Sequence, residues 1–233
     1  MHKGMKLLID SDIILYRGLF VCEGYYPGIR ACDNIVTSII ERFDCPYELV
    51  LTGSGNFRKK IYPEYKAHRK DSARPKYLYE GKQYLKKYWN AVETVGFEAD
   101  DYIAMNYEEG DVIVSSDKDF KQLKARIYNP NKDEFTDVHD PSFYFWLQTM
   151  VGDLADNIPG LPNPEKAHHK NKPCFTEGTA TPLLEGKSND EMRELVVGLY
   201  KEVYGEDWFF YFDRNCSLLF LRRKDKVNYY EVF

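Results

Sequence analysis

Twice in this chain a short apolar run stops abruptly on an acid. KLLI leads into Asp10 and Asp12, and VIVSS leads into Asp117 and Asp119. Compact apolar runs bounded by polar clusters read as buried strands. Between and beyond them lie helical patterns. Residues 29–43 are apolar at 29, 32, 35, 36, 39, 40 and 43, an amphipathic stripe. YELVL at 47–51 reads as a strand ended by a flexible TGSG loop, and residues 79–93 as a helix. A further helix runs from Glu98 to about Tyr107, DFKQL is a short helix, and ARIYN at 125–129 is a strand. Strands alternating with helices at this spacing predict an α/β domain with a mainly parallel central sheet flanked by helices. In such sheets ligands gather outside the carboxyl ends of the strands. Asp10 and Asp117 fall at those ends, and Glu98, Asp100 and Asp101 open a helix facing the same edge.

Nine carboxylates thus form four clusters: Asp10 and Asp12; Glu98, Asp100 and Asp101; Asp117 and Asp119; and Asp153 with Asp156. Any one of these alone reads as a helix cap or a solvated face. Four converging on one pocket would raise one another's pKa values unless cations intervened. Carboxylate oxygen is the natural ligand of hard divalent ions. A pair of such ions about 4 Å apart can activate a water and stabilise the leaving oxygen of a phosphodiester. Other site chemistries find no support. The five cysteines are scattered without a CxxC pair, and His168 and His169 have no partner at zinc spacing. No GxxxxGK[ST] loop or GxGxxG helix opening is present.

The formal charge of −5 conceals a basic segment. Residues 57–76 hold eight Lys or Arg against two acids, a local field that attracts a polyanion. A helical turn through YPEYKAHRK would place Lys66, Arg69 and Lys70 on one face, reaching for adjacent phosphates. Tyr62 and Tyr65 interleave with them, as rings that stack on bases do. Beyond residue 140 the pattern changes. PSFYFWLQTMVGD reads as a helix with Pro141 in its first turn, and residues 157–187 read as largely loop. SNDE at 188–191 is a capping box opening a helix that stops at Gly205, and CSLLFLRR…VNYYEVF has strand-like composition. No apolar run approaches membrane-span length. With the unpaired cysteines, this leads us to expect a reducing, cytoplasmic setting.

LLIDSD, NFRKKIYPEYKAHRK, FEADD, VIVSSDKDF and QTMVGDLADNIPGL occur in this order over residues 7–161. Together they resemble the 5′ nuclease family: flap endonucleases, the 5′-nuclease domains of bacterial DNA polymerases, and phage 5′→3′ exonucleases. The spacing of the motifs looks most like the exonucleases of short-tailed lytic phages. The resemblance implies a PIN-like 5′ nuclease fold in two parts. The first is a catalytic α/β domain at 1–140 that includes a basic arch segment at 57–90. The second is a smaller, mainly helical, duplex-binding lobe at 141–233.

It also implies a monomeric, Mg²⁺-dependent 5′→3′ exonuclease or flap endonuclease using two ions, with Mn²⁺ able to substitute. Its substrates would be duplex or branched DNA with a 5′ end, extending to RNA primers in RNA–DNA hybrids. One ion would be held by Asp10, Glu98 and Asp100, the other towards Asp117, Asp119, Asp153 and Asp156, with Asp101 near both. Lys66 and Arg69 would polarise the scissile phosphate, and Tyr65 would stack on the terminal base. Arg58, Lys59, Lys60 and Lys70 would bind DNA, as would Lys166, Lys170 and Lys172 after DNIPG, where the family's Gly-rich duplex-binding turn is replaced by GLPNPEKAHHKNK. Gly53 stands where the family carries a further carboxylate, so Gly53→Asp is expected to strengthen the first ion site. Two alternatives remain at this point: a PIN-like ribonuclease on single-stranded RNA, and a non-catalytic DNA-structure binding protein, which Gly53 would favour.

Overall fold

A computed structural model describes residues 4–70, 72–164 and 174–233. In chain order its elements are β1 (Leu7–Asp10), α1 (Ser11–Phe20), α2 (Tyr25–Phe43), β2 (Tyr47–Ser54), α3 (Arg58–Ile61), α4 (Leu78–Tyr88), β3 (Val92–Val95) and α5 (Ala99–Asn106). Then follow β4 (Val112–Val114), β5 (Arg126–Asn129), β6 (Glu134–Asp137), α6 (Pro141–Val151), α7 (Glu177–Leu184), α8 (Asn189–Tyr204) and α9 (Trp208–Leu219). Short 3-10 turns cover Ala67–Lys70, Lys118–Gln122 and Leu154–Asp156. No helix among the described residues is long and apolar enough to cross a membrane.

The chain forms two compact units, Met1–Asn56 with Asp71–His139, and Phe57–Lys70 with Asp140–Phe233. The segment expected as one arch at 57–90 is therefore divided. Its basic part, Phe57–Lys70, packs with the C-terminal unit, and its helical part, α4, packs with the first.

In the first unit six strands lie in the order β3-β2-β1-β4-β5-β6, parallel except for the β5–β6 pair. Alternate residues of a strand face opposite sides of the sheet. Leu7, Ile9, Leu49, Leu51, Val112 and Val114 bury one face against Ile14, Leu15, Cys32, Val36 and Ile39 of α1 and α2. Leu8, Val50 and Ile113 between them are equally buried, so these central strands are covered on both sides, as parallel strands are. Each such side chain contributes roughly 1.5–3 kcal/mol by leaving water. After β1 the chain builds outward through β2 and β3, then returns to place β4 on the other side of β1. Strand order reverses between β1 and β4, the position at whose carboxyl ends open α/β sheets gather their ligands.

The second unit is helical. Phe145, Trp146 and Met150 of α6 pack with Leu184 of α7, Met192, Val196 and Tyr200 of α8, and Phe212 and Cys216 of α9. Ser188 and Glu191 form the expected capping box of α8.

Several elements differ from expectation. The first half of the strand-like CSLLFLRR lies in α9, whose buried Phe212, Cys216 and Leu219 repeat at helical spacing. A short apolar run does not by itself distinguish the two conformations. Among the later residues Tyr229–Glu231 forms a 3-10 turn. The helix expected over 79–93 stops at Tyr88. Asn90 then adopts a left-handed φ of 53°, and β3, an edge strand with Val95 exposed, follows.

TGSG is not a free loop either, because β2 continues through Ser54. There its pairing with β3 shifts register between Leu51 and Ser54. At that irregularity Gly53 lies so close to β3 that a Cβ would sit 1.9 Å from the Thr94 carbonyl oxygen. A carboxylate side chain has no room at this position, so Gly53 is a packing glycine.

Candidate active site

Asp10 is both the last residue of β1 and the cap of α1, and its carboxylate accepts from the Asp12 amide at 3.2 Å. Ser115, just past β4, links this residue across the switch point. Its Oγ donates to Asp10 Oδ2 at 2.9 Å and accepts from the Asp117 amide at 3.0 Å. Asp117 in turn caps its own turn by accepting from the Asp119 amide at 2.9 Å. Asp10 is only 5% exposed. Burial, reinforced by the Asp12 and Asp117 carboxylates and partly offset by the Ser115 hydrogen bond, pushes its pKa up to about 7.

The end of β2 ties the next cluster to the same edge. Thr52 donates its amide to Asp12 Oδ2 at 3.0 Å, and its hydroxyl accepts from the Ala99 amide, at the start of α5, at 3.0 Å. Lys82 of α4 donates to the Thr52 carbonyl and lies 3.7 Å from Asp12. Asp101, fully buried, accepts from the Glu98 amide at 3.2 Å, which fixes the first turn of α5. Glu98 is nearly buried and Asp100 half-exposed. Three of the four predicted clusters thus belong to the carboxyl edge of one sheet. The bonds that hold them there, through Thr52, Lys82 and Ser115, were not singled out in the sequence. Ser115 was open to notice, as the hydroxyl between a buried strand and its terminal acid.

The fourth cluster belongs to the second unit. Asp153 is buried and caps the turn Leu154–Asp156, accepting from the Ala155 and Asp156 amides. The Asp156 carboxylate is held by the basic segment. Arg69 Nη2 reaches Oδ1 at 2.7 Å, Tyr65 donates its hydroxyl to Oδ2 at 2.7 Å, and Lys66 Nζ lies 3.3 Å from Oδ2.

Two assignments to DNA are corrected here. Tyr65 is 1% exposed within a cluster with Ile158, Leu218 and Leu219, so no ring face is available to stack on a base. Arg58 is 2% exposed. It donates to the Leu218 and Phe220 carbonyls at 2.7 and 2.9 Å, satisfying the C-terminal end of α9. Lys59, Lys60 and Lys70 are exposed, as a phosphate-binding role needs. Lys66 starts at a left-handed φ of 54°, outside the 3-10 turn that carries Arg69 and Lys70, so no single helical turn aligns the three. Lys166, Lys170 and Lys172 lie outside the described residues.

The burial of Arg58 has a measurable consequence. Arg58→Met keeps the apolar volume and strands two carbonyls, and should lower stability by about 2 kcal/mol. A matched Lys59→Met should change it by less than about 0.5 kcal/mol. Urea midpoints compare the two directly, and equal midpoints would return Arg58 to the surface.

Among the described residues no three His, Cys, Asp or Glu side chains are close enough together to hold one ion. The carboxylates that do act on one another, Asp10 with Asp12 and Asp117, are hard oxygen donors. Asp10 is a buried acid whose negative form lacks sufficient positive compensation, and that fits a divalent cation by donor chemistry.

A parallel α/β sheet with an acidic carboxyl edge at its switch point defines the class of protein. The chain belongs to the 5′-3′ exonuclease family, whose N-terminal resolvase-like domain matches residues 5–142. DNA polymerase I of Rhizobium leguminosarum is 37% identical over an alignment of 128 residues that covers 46% of this chain and 12% of that protein. The 5′-3′ exonuclease of Buchnera aphidicola subsp. Schizaphis graminum (strain Sg) is 29% identical, over 67% of this chain and 65% of its own length. The flap endonuclease Xni of Shewanella sp. (strain W3-18-1) is 26% identical over 83% and 84%. The matched region is thus a small part of the polymerase and somewhat under two thirds of the Buchnera protein. In fold the chain is similar to T5 5′-exonuclease with bound zinc ions, at TM-score 0.62 and 18% identity over 93% of this chain and 89% of that one. The relatives named here by sequence are bacterial, and likeness to a phage protein enters through the fold.

Proposed function

We propose that this chain is a divalent-metal-dependent 5′ nuclease that hydrolyses phosphodiester bonds in duplex or branched DNA bearing a 5′ end. The observation that carries the reading is Asp10: buried, at the switch point of a parallel sheet, and pushed up to about 7 by burial and the neighbouring Asp12 and Asp117. Asp10, Glu98, Asp100, Asp101, Asp117 and Asp119 would hold the metal ions, Mg²⁺ or Mn²⁺. When bound, such ions supply an activated water and charge stabilisation at the leaving oxygen. Ser115 orients the Asp10 carboxylate, and Thr52 and Lys82 hold Asp12 in place. Lys59, Lys60 and Lys70 attract the phosphate backbone, and Lys66 and Arg69 position a phosphate group. The non-catalytic alternative loses its one supporting feature, because strand packing accounts for Gly53.

The test is cleavage of 5′- and 3′-labelled duplex, flap DNA, RNA–DNA hybrid and single-stranded RNA in Mg²⁺, Mn²⁺ or EDTA. The proposal expects metal-dependent products released from the 5′ end of the DNA substrates. Cleavage confined to single-stranded RNA would favour the ribonuclease, and no cleavage by folded, DNA-bound protein would sink the proposal. Asp117→Ala should lower turnover by about a hundredfold or more while duplex binding stays intact. A parental rate in that variant would remove Asp117 from the site.

A further inference from the structure

Asp10 and Asp12 are near neighbours on the acidic edge, yet they face different surroundings. Asp10 accepts from the Asp12 amide and the Ser115 hydroxyl, both neutral donors. Asp12 Oδ2 accepts from the Thr52 amide at 3.0 Å, and its Oδ1 faces the Lys82 ammonium at 3.7 Å. The same ammonium donates to the Thr52 carbonyl. Lys82 is thus a positive charge set among carboxylates, its side chain 20% exposed and that of Asp12 26%.

α4 is seated so as to deliver this charge. At Gly81, the residue before Lys82, a Cβ would lie 2.9 Å from both Leu15 Cδ2 and Leu19 Cδ1 of α1. The missing side chain lets the two helices approach closely. Leu85, one turn on, is fully buried. Towards the far end of the helix, Tyr84 and Trp89 each donate to the Asp33 carboxylate of α2 at 2.8 Å. With the helix held and the ammonium bonded to a main-chain carbonyl, the long Lys82 side chain has given up its freedom before any ligand arrives.

A carboxylate already paired with an ammonium is a poorer ligand for a second cation, because the two positive charges compete for it. We propose that Lys82 is a positioning residue of the nuclease site: it keeps Asp12 as its own partner and so withholds this carboxylate from the divalent-metal ligand set, leaving that role to Asp10. Asp12 then serves the site through Thr52, whose hydroxyl accepts from the Ala99 amide at the start of α5. The presence of an ion site rests on the nuclease reading, but Mn²⁺ binding itself is read without DNA or turnover.

The experiment titrates the metal-free protein with Mn²⁺, following the EPR signal of the free ion. Lys82→Met keeps the apolar stem and removes the charge. Asp12 is then released as a ligand, and Mn²⁺ should bind about three- to tenfold more tightly. Turnover on DNA at saturating Mg²⁺ should nevertheless fall about tenfold, because misplacement of reacting groups is costly. Lys82→Arg keeps the charge and should bind Mn²⁺ within about twofold of the parent. Lys86→Met removes the same charge from the same helix, where Lys86 pairs with Glu93 at 2.6 Å, and should also stay within about twofold. In an Asp12→Asn background the gain from Lys82→Met should shrink to less than about twofold. Should Lys82→Met fail to fold, Lys82→Gln retains a donor for the Thr52 carbonyl and should show the same gain.

A purely structural role for Lys82 predicts lower stability with unchanged or weaker Mn²⁺ binding, and that result overturns the proposal. So does a gain matched by Lys86→Met, or one that persists in full without the Asp12 carboxylate, which would mark simple repulsion between Lys82 and the ion. If the parent binds Mn²⁺ and Lys82→Met binds it no tighter, the role given to Lys82 falls and the nuclease reading stands. If the folded parent binds no Mn²⁺ even at millimolar concentration, both fall.

Discussion

Asp10→Asn should stabilise the metal-free protein at neutral pH while abolishing cleavage. In the folded chain Asp10 keeps its proton up to about pH 7, whereas in an unfolded chain an aspartate releases it near pH ~3.9. Below both values the residue is protonated in either state and contributes no difference. As pH rises between them the unfolded chain ionises freely, and the folded chain must ionise against burial and against Asp12 and Asp117. Stability is lost across that interval, by up to about 4 kcal/mol, and the loss is complete above pH ~7. Asparagine never ionises, and its amide oxygen can still accept from Ser115 and from the Asp12 amide. The advantage of the variant should therefore be absent at pH 4 and full by pH 8, when denaturant midpoints are compared in EDTA. Mg²⁺ should then stabilise the parent more than the variant, because binding to the native state raises stability by mass action. A difference independent of pH would mean that Asp10 is not the buried, uncompensated acid described here.

Much of this arrangement was legible because strand ends announce themselves. KLLI-Asp10 and VIVSS-Asp117 needed only the rule that an apolar run ending on an acid at a sheet edge marks a site, and the sheet places both there. The capping box at Ser188 and the proline at the start of α6 are local signals, and they held for local reasons. What could not be read depended on which surface a segment meets. Arg58 and Lys59 are adjacent and chemically similar in sequence. One is buried against the end of α9 and the other is exposed, a difference set by a partner about 160 residues away. Tyr65 was read as a stacking ring because it lies among bases, and its burial against Ile158 and Leu218 is again a long-range fact. The basic segment was grouped with its sequence neighbours, yet its carboxylate partner comes from the GDLADN turn.

Gly53→Asp, expected from family resemblance to strengthen a metal site, should instead unfold or cripple the protein. A Cβ at this position would lie 1.9 Å from the Thr94 carbonyl oxygen and 3.0 Å from Glu93 Cγ. The first neighbour is backbone and cannot rotate away, so β2 and β3 must separate. Ordinary overpacking costs about 1–3 kcal/mol. A clash against a strand's main chain should reach about 3 kcal/mol or more for Gly53→Ala and exceed that for Gly53→Asp, which adds a charge. The damage would reach the acidic edge. The Gly53 amide donates to Thr94 Oγ1, and the preceding Thr52 holds both Asp12 and the start of α5. Moving this stretch shifts the carboxylates together, so turnover should fall in any fraction that still folds. Ser54→Ala, at the exposed neighbouring position, should change stability by less than about 0.5 kcal/mol. Thermal melts of the three variants, with the Mg²⁺ concentration giving half-maximal rate, separate the two accounts. A Gly53→Asp protein that melts with the parent and needs less Mg²⁺ would show that β3 yields at Thr94 and that the position is a vacated metal anchor after all.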